Sequence, residues 1–198
     1  MSSARGSSVS ILGLAASLVR FCARSSVLVA LAACGVPPRH VHDPLEYPKT
    51  KVASSGFELD VVDARPSAAL PSVKQLVLPR QFEARAEQRL ATAFAGQGPP
   101  LRVRVGVVAA EELELVDARG EMTRVVVRLN IEVKVKDGPV LGRVETQSSS
   151  DLPRDEASPD EIALVLDATA NNAFDRYWAN PATPTQLNRN LAAYEQKH

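Results

Sequence analysis

Two stretches in the middle of the chain alternate apolar and polar residues for longer than a helix allows. Leu101, Val103, Val105 and Val107 alternate with Arg102, Arg104 and Gly106. Val125, Val127, Leu129, Ile131, Val133 and Val135 alternate with Arg124, Val126, Arg128, Asn130, Glu132, Lys134 and Lys136. A period of two sends successive side chains to opposite faces of a pleated strand. Sustained this long, it means antiparallel strands with one buried face. A third, weaker run covers Val140 to Ser149, and Asp117-Ala118-Arg119-Gly120 and Asp137-Gly138 supply the turns. Keeping apolar faces together sets Glu112 opposite Arg124 and Arg104 opposite Glu132 across the first hairpin. Across the second, a two-residue Asp137-Gly138 loop sets Ile131 opposite Val144 and Glu132 opposite Arg143. Opposite charges across strands contribute about 0.2–1 kcal/mol per pair. Pro139 weakens the second assignment, because it has no N–H to close a two-residue loop.

Helices flank this core. Before it, Phe57, Leu59 and Val61 alternate with Glu58, Asp60 and Val62 as a half-buried strand, and 63–72 reads as a loop with Pro66 and Pro71. From about Pro79, Phe82, Ala86, Leu90, Ala93 and Phe94 form one apolar stripe at helical spacing, stopped by Gly96-Gln97-Gly98 and Pro99-Pro100. After the strands, Ser158-Pro159-Asp160-Glu161 resembles a capping box with proline at the first helical position. The helix it opens carries Ile162, Val165, Leu166, Thr169, Ala173 and Tyr177 on one face, widened by Phe174 and Trp178, and ends at Asn180-Pro181. The expected fold is α+β: a two-layer sandwich, an antiparallel sheet of about four strands with two helices packed on one face. The domain spans 57–180, and a polar tail, 181–198, follows it. Within that tail Thr185 caps a short helix with Leu187 and Leu191.

The N-terminal third reads differently. Residues 1–33 carry Arg5, Arg20 and Arg24 and no acid, with apolar runs Ile11–Val19 and Val27–Ala33. Neither run reaches the roughly 20 apolar residues a membrane-spanning helix needs. The second, preceded by Arg24, has the form of a signal-peptide apolar region. It ends in Leu31-Ala32-Ala33-Cys34, which resembles the lipobox of bacterial lipoproteins. The resemblance implies cleavage after Ala33, lipid on Cys34 and a signal peptide over 1–33. Gly35 after the cysteine resembles an outer-membrane sorting address. Residues 34–56 then form a flexible tether, with Pro37-Pro38, Asp43-Pro44, Tyr47-Pro48 and Ser54-Ser55-Gly56. Cys22 leaves with the leader and Cys34 carries lipid, so no disulfide is expected despite an oxidising compartment.

The chain has equal numbers of basic and acidic groups, 23 of each. With three arginines in the leader, the mature part has 20 basic against 23 acidic groups and is mildly acidic. That balance argues against a general nucleic-acid binder. Residues 57–180 contain no histidine, so no nucleophile–histidine pair forms there, and no Gly-rich phosphate loop or CxxC occurs. His40-Val41-His42-Asp43 sits on a proline-rich linker without the rigid surroundings of a metal site. Glu111-Glu112 and Asp155-Glu156 read as solvated, as does Asn171-Asn172 inside its helix. No catalytic residue, metal or cofactor is expected.

One surface stands out. The polar sheet face gathers Arg102, Arg104, Arg124, Arg128, Lys134 and Arg143, with Lys136, against Glu132, Glu145, Glu112 and Glu114. A solvated face with cross-strand ion pairs accounts for this pattern. A docking face for an anionic envelope partner, either a lipid headgroup or an acidic protein surface, accounts for it too. The element order after a lipobox cysteine resembles small Gram-negative envelope lipoproteins of the YajG and LptE types, and Leu164-Val165-Leu166-Asp167-Ala168-Thr169 is similar to the start of the last helix of the YajG type. The resemblance implies a non-enzymatic outer-membrane lipoprotein facing the periplasm, an accessory or assembly subunit anchored to the membrane through Cys34. The alternative is a module that binds a small ligand or lipid on its own, and a third reading is an envelope enzyme that works through carboxylates alone.

Overall fold

A computed structural model of the chain describes residues 45–66, 73–118 and 120–197. The chain divides into two units, 1–39 and 40–198, and every described residue belongs to the second. The expected signal peptide over 1–33, Cys34 and the His40–Asp43 stretch lie outside the described residues.

The fold is α+β. Among the described residues the strands are β1 (Val52–Ala53), β2 (Phe57–Asp63), β3 (Lys74–Gln75), β4 (Phe94–Ala95), β5 (Leu101–Asp117), β6 (Gly120–Val135) and β7 (Val140–Pro153). The helices are α1 (Gln81–Ala93), α2 (Pro159–Trp178) and α3 (Ala182–Glu195). The main sheet has five strands in the order β2-β5-β6-β7, with β3 also paired to β5. The expected all-antiparallel sheet of about four strands is corrected in one respect: β2 runs parallel to β5. The connection between them contains α1, and a helical crossover is what joins neighbouring parallel strands. Alternation in β2 reads the same for either direction, so only that connection decides it.

The hairpin registers are close to expectation. Arg104 pairs Glu132, and Ile131 pairs Val144 and Glu132 pairs Arg143. Glu112, however, faces Val125 rather than Arg124, because the register shifts between Val107 and Ala109. This β-bulge moves Glu112 to the helix side of the sheet, where it pairs with Lys74 at 2.6 Å. The β6–β7 turn is longer than two residues. Pro139 offers its carbonyl to Val135 N–H (3.0 Å), and a second shift sets Lys134 opposite Val140.

Helices cover one face of the sheet. Ser158 caps α2, accepting from Glu161 N–H at 3.2 Å, with Pro159 in its first turn. Leu101, Val103, Val105, Leu129, Ile131 and Val133 are fully buried beneath Phe82, Leu90, Val165 and Phe174. At roughly 1.5–3 kcal/mol for each large apolar side chain, this interlayer is the main stabilising term. An aromatic chain continues it, from Phe57 on Phe94 (5.2 Å) through Phe94 on Trp178 (5.5 Å) to Phe174 on Trp178 (6.1 Å).

Both ends of the domain are more ordered than their composition suggests. The expected tether to 56 and polar tail from 181 are in part structural. Val52 is buried, and β1 pairs β4. The Asn188 side chain of α3 accepts from Ala53 N–H and donates to the Lys51 carbonyl, both at 2.8 Å, as a neighbouring strand would. Leu187 and Leu191 are buried. Asn171 is buried too, and its amide donates to the Asp167 carbonyl at 2.7 Å. The α2 position expected to face water is instead on a covered flank.

Candidate docking site

The sheet face turned away from the helices carries every cation singled out in the sequence. Its residues reach it by strand alternation: Arg102 and Arg104 from β5, Arg124, Arg128 and Lys134 from β6, Arg143 from β7. The parallel register adds what sequence reasoning left out. Glu58 stands opposite Arg102 and Asp60 opposite Arg104. Arg102 reaches Glu58 at 3.1 Å, and Lys136 pairs the same carboxylate. Arg104 lies 3.9 Å from Asp60. Arg124 holds Asp151 through two bonds of 2.6 and 3.0 Å, Arg128 meets Glu145 at 3.4 Å, and Arg143 pairs Glu132. Bonds from Lys136 and Arg102 hold the Glu58 carboxyl below its ordinary range. The basic lean of the face is therefore largely matched by carboxylates on the same face. Exposed pairs of this kind contribute little, because water and salt screen them.

The face also has relief. An open depression of about 300 Å³ lies over Gly106. Val62, Ala64 and Val108 give it an apolar floor, and Arg104, Asn130, Glu132 and Arg143 give it a polar rim. Gly106 keeps it open: a Cβ there would approach the Ala64 Cβ to 3.2 Å. The bulge beside Val107 lies at its edge, a place where bulges re-aim side chains. Arg65 braces the adjoining end of β2. Its guanidinium donates to Asp63 at 2.8 Å and to the Leu76 carbonyl at 2.7 Å. Its side-chain and backbone bonds pull the Asp63 carboxyl down to about 2.

Of the six cations, the depression brings together Arg104 and Arg143, whereas Arg102, Arg124, Arg128 and Lys134 stand elsewhere on the face. Sequence reasoning missed Gly106, Asn130, Val62, Ala64 and Val108. A glycine inside a strand was the available signal, since it weakens a strand unless something must approach the backbone closely. Among the described residues, no helix is long and apolar enough to cross a membrane.

No family model matches the chain, and no curated protein matches it in sequence. Among solved structures, it is similar to a protein from Xanthomonas campestris described under the family model DUF330, at 9% identity and a TM-score of 0.41, over 77% of this chain and 99% of that one. It is also similar to a minor lipoprotein from Acinetobacter baumannii, at 11% identity and a TM-score of 0.36, over 77% of this chain and 96% of that one.

Proposed function

We propose that this chain is a non-enzymatic lipoprotein, anchored through Cys34 to the periplasmic side of the outer membrane. There it serves as an accessory or assembly subunit that docks an envelope protein on its open sheet face. The anchor rests on Leu31-Ala32-Ala33-Cys34 after a basic leader. The docking reading rests on one observation: the helix–sheet interlayer is filled by large side chains, and the open depression lies on the opposite face. A module that binds a small ligand on its own buries most of that ligand's surface in a concave site. This depression instead opens onto a polar strand surface, which suits one apolar side chain of a partner seated between Arg104 and Arg143.

Gly106→Leu tests it. The added side chain fills the depression, and the partner should no longer co-purify with the membrane-anchored protein from its native host. Unchanged recovery of the same partner with the folded variant would refute docking at this place. Cys34→Ser tests the anchor separately. Lipid labelling and cleavage after Ala33 should both be lost, and normal processing of that variant would overturn the anchor.

A further inference from the structure

Among the described residues, β7 has a strand neighbour on one side only, so its outer backbone edge is open. An exposed edge is a template for another strand. Part of this edge is covered: Asn190 donates to the Leu141 carbonyl at 2.6 Å, and Leu187 packs near Gly142. Arg176 donates to the Gln147 carbonyl at 2.8 Å. That bond shows that Gln147 turns its backbone away from β6. By the alternation of antiparallel pairs, Arg143, Glu145, Ser149 and Asp151 turn theirs the same way. Arg143, Glu145, Gln147 and Ser149 are exposed.

This segment is complementary to itself. Laid antiparallel to a second copy about a two-fold axis at Gln147, Arg143 falls opposite Asp151 of the second copy, and Glu145 falls opposite Ser149. Neighbouring registers fit worse. An axis at Glu145 sets Glu145 against itself, one at Thr146 sets Arg143 against Ser149, and one at Ser148 sets Glu145 against Asp151. Arg143 already pairs Glu132, and Asp151 already pairs Arg124. The Gln147 register therefore extends both pairs into one row of alternating charge across four strands.

We propose that β7 pairs with β7 of a second copy of this chain, antiparallel about an axis at Gln147, so that the two sheets join into one. Arg176 then gives up the Gln147 carbonyl, and the backbone bonds of the new ladder replace that single contact.

Cysteine scanning of the full chain tests the register. In a hydrogen-bonded antiparallel pair the Cα atoms stand about 5.5 Å apart, within disulfide range. Gln147→Cys should give a disulfide-linked dimer under mild oxidation. Glu145→Cys and Ser149→Cys alone should not, since each lies about 14 Å from its own copy along the strand. Both placed in one chain should crosslink. Val77→Cys, exposed and away from β7, sets the collision rate, and the unsubstituted chain sets the background. Adding Arg176→Ala to Gln147→Cys should raise the dimer yield. Three results would each overturn the proposal. One is folded Gln147→Cys protein that crosslinks no more than Val77→Cys. Another is equal crosslinking by the three single variants at positions 145, 147 and 149. The third is a Gln147→Cys yield that Arg176→Ala leaves unchanged.

Discussion

The Tyr47 hydroxyl donates a 2.7 Å hydrogen bond to Asp175, a fully buried carboxylate 128 residues further along the chain. Arg89 meets the other oxygen of the same carboxylate at 2.7 Å. The three groups tie the segment before β1 to α1 and α2. Tyr47→Phe leaves a buried acceptor one bond short and should cost about 1–3 kcal/mol. Asp175→Ala strips Arg89 of its counter-charge and should cost more, about 3–5 kcal/mol. Urea unfolding of both variants checks the order of the two losses.

Alkaline pH should unlock the same region. Burial raises Tyr47, with the Asp175 charge and hydrogen bond adding to it, and burial raises Tyr177 to about 12. Unfolded tyrosine titrates near 10. A raised folded value means that the stabilisation is complete below about pH 10 and is lost as pH climbs through the folded values. Stability measured from about pH 8 to 12 should fall above about 10, and Tyr47→Phe with Tyr177→Phe should flatten that fall.

The two faces of β6 should respond oppositely to charge. Ile131 is fully buried against the helices, and Ile131→Asp should cost several kcal/mol. Lys134 lies on the face away from the helices, so Lys134→Asp should stay within about ±0.5 kcal/mol. Thermal unfolding separates the two, and equal losses would contradict a sheet covered on one side.

Legibility in the sequence follows the reach of the physics involved. The alternation of β5 and β6 is a local pattern, and it places Arg104 opposite Glu132. The bulge beside Val107 leaves no local mark, because Ala109 and Ala110 suit either face, and alternation alone therefore puts Glu112 on the wrong side. The Glu58 and Asp60 partners of the arginines depend on a parallel pairing made through α1, which no alternation encodes. Tyr47 and Val52 sit in a Pro- and Ser-rich stretch that reads as a tether until α2 and α3 are in place to receive them. Of the candidate site, the charged strand face is legible from alternation. The depression is not, because Gly106 acts by what it lacks.

Crosslinking from the open sheet face in intact cells reads whether a partner docks there. A photo-crosslinking residue replaces Asn130, on the rim of the depression, and in a parallel strain Leu164, exposed on α2. Position 130 should yield a discrete crosslinked envelope protein, lost when Gly106→Leu is added, and position 164 should yield none. The same product from both positions, or a product from 130 that survives Gly106→Leu in folded protein, would contradict docking on that face.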